Sequence, residues 1–180
     1  KLNAIAVSGS LAVAVGDKGK IKTSADGVTW VDRSLNPNPN NLFFNSVAWD
    51  GSKFIAAGQD YDFTAGVNAW VGVVYTSSDG VSWSRVYAST TPGSILRKVG
   101  CGNGISFAGG DMGTLLRSAN GNAWSPVQLV AGSYDIGGIA YGQGKFAILA
   151  HQQGSNSGDG KAFVSSDGSN WEDRSSALDF

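Results

Sequence analysis

Ser77-Ser78-Asp79-Gly80-Val81-Ser82-Trp83 is one of four copies of the same heptad. The others are Ser24-Ala25-Asp26-Gly27-Val28-Thr29-Trp30, Ser118-Ala119-Asn120-Gly121-Asn122-Ala123-Trp124 and Ser165-Ser166-Asp167-Gly168-Ser169-Asn170-Trp171. The shared pattern is Ser-x-[Asp/Asn]-Gly-x-x-Trp, and the Trp residues lie 53, 41 and 47 positions apart. Read physically, the heptad is a self-capped hairpin. The carboxylate of Asp26, Asp79 or Asp167 accepts backbone N–H groups across the turn, and the Asn120 side chain can accept the same bonds. The following Gly takes a backbone conformation that a Cβ would disfavour. The Trp opens the next strand and lays a large ring against the sheet. These acids occur once per repeat, so they are expected to be structural rather than catalytic or metal-binding.

The flanks repeat as well. Upstream of each heptad lie an apolar strand, a tight turn and a second apolar strand: Ala4–Val7 then Leu11–Gly16, Ser46–Trp49 then Lys53–Gly58, Lys98–Cys101 then Ile105–Gly110, and Gly138–Tyr141 then Lys145–Ala150. Each copy therefore reads as strand a, hairpin, strand b, loop, strand c, Asp-Gly hairpin, strand d. The b strands are nearly continuous small and apolar residues, which suits burial on both faces. Such a four-stranded unit is too small to be stable alone and must stack on its copies. The expected fold is an all-β propeller of four-stranded antiparallel blades at about 2–34, 43–88, 95–128 and 136–176. The period is too long for a β-helix coil and too regular for a sandwich.

The heptad resembles the Asp-box, or BNR repeat, of bacterial and viral sialidases, sortilin-type propellers, photosystem assembly factors and phage tail proteins. All four copies fit the shorter version of that pattern, and the resemblance covers essentially the whole chain. It implies a propeller in which the Asp-box is structural. It says little about function.

Composition narrows the chemistry. Gly makes up 26 of 180 residues, charged residues 15%, and the net charge is −1. That balance argues against nucleic-acid or polybasic membrane partners. One Cys and one His exclude internal disulfides, multi-Cys zinc sites and haem attachment, so no cofactor or metal is expected. No signal peptide is visible. No run of 18 apolar residues exists, so no membrane insertion is expected. The chain opens at Lys1 rather than Met, as a processed product or a piece of something longer would.

A sialidase-like enzyme would be expected to use three Arg, a Tyr–Glu pair and an Asp. Arg33, Arg85 and Arg174 fall on the outermost strands, Arg117 on a c strand, and only Arg97 precedes an innermost strand. The lone Glu172 follows Trp171. Paired-carboxylate glycoside hydrolysis remains formally open through Asp60, Asp62, Asp111 or Asp159. The expected reading is non-enzymatic.

Antiparallel pairing puts the a–b and c–d turns on one face and the b–c loops and d-to-a links on the other. Length varies only on the second face. Two b–c insertions, Gln59–Gly72 and His151–Lys161, are read as loops there, with His151 standing where the other repeats have Gly. Insertions in repeat proteins tend to gather on the binding face. The ligand-binding candidates are therefore Tyr61, Asp62, Phe63, Trp70, His151 and Gln152. The aromatics beside Asp suit a glycan or a protein partner; the alternative reading is that they only fold the loop onto the domain or zip to a neighbouring subunit. Asn36-Pro37-Asn38-Pro39-Asn40-Asn41 reads as a stiff link on the same face. Cys101 reads as a buried apolar residue. The resulting expectation is a binding or structural module. The resemblance adds an extracellular or virion-surface setting such as a phage tail, with an assembly factor and a glycan-processing enzyme or lectin as alternatives. Four blades could close alone, pair with a second chain into a larger ring, or belong to a longer polypeptide.

Overall fold

A computed structural model describes residues 1–35, 41–63, 68–129, 134–152 and 160–177. It contains four antiparallel sheets of four strands each, every sheet running in chain order from first strand to last. Blade 1 comprises β1 (Leu2–Val7), β2 (Ala12–Gly16), β3 (Ile21–Ser24) and β4 (Val31–Asp32); blade 2 comprises β5 (Phe43–Trp49), β6 (Phe54–Asp62), β7 (Ala69–Ser77) and β8 (Ser84–Ala88). Blade 3 comprises β9 (Leu96–Gly102), β10 (Ile105–Gly110), β11 (Leu115–Ser118) and β12 (Ser125–Pro126); blade 4 comprises β13 (Tyr134–Gly142), β14 (Lys145–Gln152), β15 (Gly160–Ser165) and β16 (Glu172–Asp173). Among the described residues, helix is confined to two single 3-10 turns, Asp111–Gly113 and Ser175–Ala177. This is the all-β, four-bladed architecture that the repeat predicts. The Trp of each heptad sits one residue before its d strand rather than inside it.

The heptad hairpins close by the same bonds. Asp79 Oδ1 accepts from the N–H groups of Val81 and Ser82 at 2.8 Å and from the Ser77 hydroxyl at 2.9 Å, while Ser77 Oγ accepts from Gly80 N–H at 2.8 Å. Asp26 and Asp167 repeat the arrangement. Asn120 substitutes its amide oxygen, accepting from Asn122 and Ala123 N–H at 2.9 Å. Gly27, Gly80, Gly121 and Gly168 all have φ near +70°. The bonds favour the ionised acid, so Asp79 is lowered to about 2 and Asp26 and Asp167 are lowered further.

Three apolar cores lie between consecutive blades. Val13, Val15, Phe44, Phe54 and Val73 join blades 1 and 2; Ile55, Ala57, Leu96 and Ala108 join blades 2 and 3; Phe107, Phe146, Ile148 and Phe163 join blades 3 and 4. Trp83, Trp124 and Trp171 flank these three cores in turn. The heptad hairpins of blades 2, 3 and 4 lean on the preceding blade at its b strand. A Cβ at Gly80 would lie 2.8 Å from Leu11 Cδ2, and one at Gly168 would lie 3.2 Å from Phe107 Cζ.

Each a strand carries a one-residue bulge at the same register. Leu2, Phe44, Leu96 and Ile136 pair with Gly16, Gly58, Gly110 and Ala150, and the next residue, Asn3, Asn45, Arg97 or Gly137, is skipped. The repeat-Gly place in blade 4 therefore belongs to Ala150, not His151. A Cβ at Gly58 would sit 1.9 Å from the Phe43 carbonyl oxygen, and one at Gly110 1.9 Å from that of Ile95. Blade 4 holds a Cβ at this register, and nothing in the structure explains why it alone does.

The two insertions are not simple loops. Gln59–Asp62 pairs with Ala69–Gly72 in continuous register, so β6 and β7 extend as a hairpin beyond the rest of the blade. His151 and Gln152 likewise belong to β14, with His151 paired to both Asp135 and Gly160. The described residues of both insertions find backbone partners by lengthening the ladder, which is why they stay in strand. Residues 64–67 and 153–159 of these insertions, and residues 36–40 of the Asn-Pro link, lie outside the described residues.

Candidate functional site at the bulged end of the blades

The bulge re-aims one side chain per blade at the end of strand a where b–c hairpins and d-to-a links emerge. The residue following the repeat-Gly position lies beside it. Together they make a pair in each blade: Asn3 with Asp17, Asn45 with Gln59, Arg97 with Asp111, and Gly137 with His151.

In blade 1, Asn3 Nδ2 donates to Asp17 Oδ1 at 2.7 Å and to the Phe44 carbonyl of blade 2 at 3.0 Å. In blade 2, Asn45 Nδ2 donates to the Leu96 carbonyl of blade 3 at 2.8 Å. These two amides latch successive blades. Blade 3 departs from that pattern. Arg97 turns its fork on Asp111, with Nε to Oδ1 at 2.9 Å and Nη2 to Oδ2 at 2.7 Å. The Asp111 carboxylate holds the guanidinium above its ordinary value. Asp135 of blade 4 accepts from Met112 N–H at 2.8 Å and fixes the 3-10 turn, where Met112 stands at φ 58°. In blade 4 the bulge is Gly137, and a Cβ there would lie 3.0 Å from His151 Nδ1, so the imidazole occupies the space of the missing side chain.

Asn45, Arg97, Lys98, Asp111, Asp135, Ile136, Gly137 and His151 line one open depression of about 500 Å³. Blades 2, 3 and 4 all contribute to it. Its charges are largely matched: Asp111 is held by Arg97 and Asp135 by a backbone amide. The arrangement offers a polar floor with donors and acceptors in fixed places, suited to holding a ligand.

The extended hairpin of blade 2 forms a second part of this end. Trp70 packs edge-on against Phe43 at 5.5 Å and against Tyr61 at 5.4 Å, and Tyr61 stacks obliquely on Phe63 at 4.7 Å. Tyr61 Oη donates to the Asn68 carbonyl at 2.9 Å. Asp60 pairs with Arg85 at 3.6 Å, and burial raises its carboxyl above the ordinary range. Tyr61 and Trp70 therefore hold the hairpin together, and Phe63 at its tip is 68% exposed.

Of the six residues expected to bind a ligand, Tyr61, Asp62, Phe63 and Trp70 share the hairpin. Only His151 lines the depression, and Gln152 is exposed beside it. Asn45, Lys98 and Asp135 were not singled out by sequence reasoning. Asn45 stands at a bulge and Lys98 directly follows one, and a one-residue register slip leaves no mark on composition or spacing; Asp135 is placed by its pairing with His151. Arg97 was legible as the Arg before an innermost strand, and Asp111 as a loop carboxylate. Arg33, Arg85, Arg117 and Arg174 do not line the depression, and Glu172 pairs with Arg174.

No protein-family profile matches the chain, and no curated protein matches it. Among solved structures it is similar to YCF48 bound to D1 peptide (18% identity, TM-score 0.64), spanning 96% of this chain and 52% of that one. It is also similar to YCF48 from Cyanidioschyzon merolae (19% identity, TM-score 0.64), spanning 96% of this chain and 55% of that one. A third likeness is the Bombyx mori GH32 β-fructofuranosidase BmSUC1, a mutant in complex with sucrose (10% identity, TM-score 0.52, 96% and 49%). The chain thus spans about half the length of these structures. At such identities the likeness shows the fold alone: this chain has the architecture of a β-propeller built from four-stranded antiparallel blades.

Proposed function

We propose that the chain is a non-enzymatic binding module that grips an exposed segment of a protein partner across the bulged end of its blades. The observation that carries this reading is the convergence of blades 2, 3 and 4 on one polar depression, beside a hairpin that presents Phe63. Fixed polar groups would orient the segment, and the apolar tip would supply contact area. The YCF48 structure with a bound peptide supports the reading by fold analogy. The carboxylates of the depression are engaged as hydrogen-bond acceptors, which suits positioning better than proton transfer. We take the four hairpins to be Asp-boxes, and an extracellular or virion-surface assembly as the setting, on the resemblance of the heptads.

A panned library of random 12-residue peptides tests the proposal. Enriched peptides should bind the wild-type chain, and Arg97→Ala and Phe63→Ala should each weaken them at least tenfold with thermal stability little changed. Peptides that bind both variants as well as wild type would overturn it. The exposed ring of Phe63 also favours a second reading, a glycan ligand held by stacking. A glycan array showing hits that Phe63→Ala abolishes, with no peptide enriched, would support that reading instead.

A further inference from the structure

The packing of blade on blade is directional and is made three times in this chain. The heptad hairpin and a-strand face of each later blade cover the b-strand face of the one before. Blade 1 and blade 4 each retain half of that contact unmatched.

Among the described residues, nothing covers the outer face of blade 1. Leu2 is 41% exposed, whereas Phe44, Leu96 and Ile136 at the same register are at most 1% exposed. Ile5 is 57% exposed, whereas Val47 and Val99 at its register are below 9%. Leu2, Ile5, Ala14 and Trp30 line an apolar depression of about 530 Å³. Nothing lies within 4 Å of a Cβ built on Gly27, although its counterparts Gly80, Gly121 and Gly168 sit against the preceding blade.

Among the described residues, nothing covers the outer face of blade 4 either. Ala147 and Leu149 stand at the registers of Val13 and Val15, of Ile55 and Ala57, and of Phe107 and Gly109. Those six are buried, yet Ala147 is exposed and Leu149 is 50% exposed. Lys145 stands at the register of Lys53, whose Nζ donates at 2.7 Å to the Asn120 carbonyl in the next blade's heptad. A heptad seated on blade 4 would meet Lys145 in the same way, and the heptad of blade 1 carries Asp26 where blade 3 carries Asn120.

We propose that the occupant of both faces is a second copy of this chain, blade 1 of each copy seated on blade 4 of the other, closing a ring of eight blades. The two bare faces are the two halves of one repeated interface, and Lys145 would donate to the Asp26 main-chain carbonyl as Lys53 does to that of Asn120. The contact is heterologous, and with two copies it closes.

Light scattering of the 180-residue chain from about 1 to 100 μM tests this, with Ile5→Lys and Leu149→Asp in parallel. Both side chains are exposed, so each variant should fold with little change in Tm, checked by near-UV circular dichroism. The expected result is twice the chain mass for wild type and a single-chain mass for either variant. A wild-type monomer across the range, as when further blades of a longer polypeptide are the natural cover, would overturn the proposal. So would mass that grows without limit, which marks an open head-to-tail fibre. A dimer indifferent to Leu149→Asp would do the same, since it would join blade 1 to blade 1.

Discussion

A single carboxylate oxygen organises each heptad, and this fixes what substitution should do. Asp79→Ala removes the acceptor of two backbone N–H groups and should lower Tm, whereas Asp79→Asn should lower it less, because it keeps the acceptor as Asn120 does in blade 3 and loses only the charge. The folded state holds Asp79 at about 2, below its ordinary 3.8. A depressed acid stabilises the fold above its unfolded pKa and loses that contribution as pH falls through the folded value. Melting temperature should therefore be flat above pH 5 and fall below pH 4, with a shallower fall in Asp79→Asn. Gly58→Ala tests close approach instead. Its Cβ would lie 1.9 Å from a backbone oxygen, so chemical denaturation should show a loss of roughly 1–3 kcal/mol. Cys101 is half-buried against the core between blades 2 and 3, and burial pushes its thiol up to about 11. Iodoacetamide at pH 8 should label it slowly in the folded chain and rapidly in guanidinium. These local features are the most legible in the sequence, because a turn is decided by residues within a few positions of one another.

Elements were less legible where length alone had to decide between loop and ladder. The excess residues after Gly58 and Ala150 mark insertions plainly, but an insertion of that size can be either a loop or two longer strands. Alternation does not settle it, since Tyr61 and Phe63 face the same way whether the hairpin is zipped or splayed. What decides is the aromatic cluster, in which Tyr61 touches both Phe63 and Trp70 and Trp70 reaches across β6 to Phe43 on β5. Trp70→Ala should thus cost about 2 kcal/mol of stability by chemical denaturation, since the ring is only partly buried. Phe63→Ala, at an exposed tip, should cost under about 0.5 kcal/mol. Equal losses from the two would mean that the cluster does not order the hairpin.

At the scale of the whole molecule, four copies of one heptad sufficed to reveal blades, because a small sheet apolar on both faces has few ways to bury itself. The ends of the array and the depression were not legible. Leu2 and Phe44 look equivalent in sequence, and only packing shows one exposed and the other covered. Asn45 and Arg97 come together because each a strand bulges at the same register, a feature with no compositional trace, and Asp135 joins them from its pairing with His151. The assigned role rests on that shared end. Hydrogen exchange of the chain, with and without a peptide enriched from the 12-residue library, tests it most directly. The account predicts protection at Asn45, at Arg97–Lys98, at Asp111–Gly113 and at Asp135–Gly138. Protection confined to the opposite turns at Ser8–Leu11, Asp50–Lys53 and Gly102–Ile105 would contradict it.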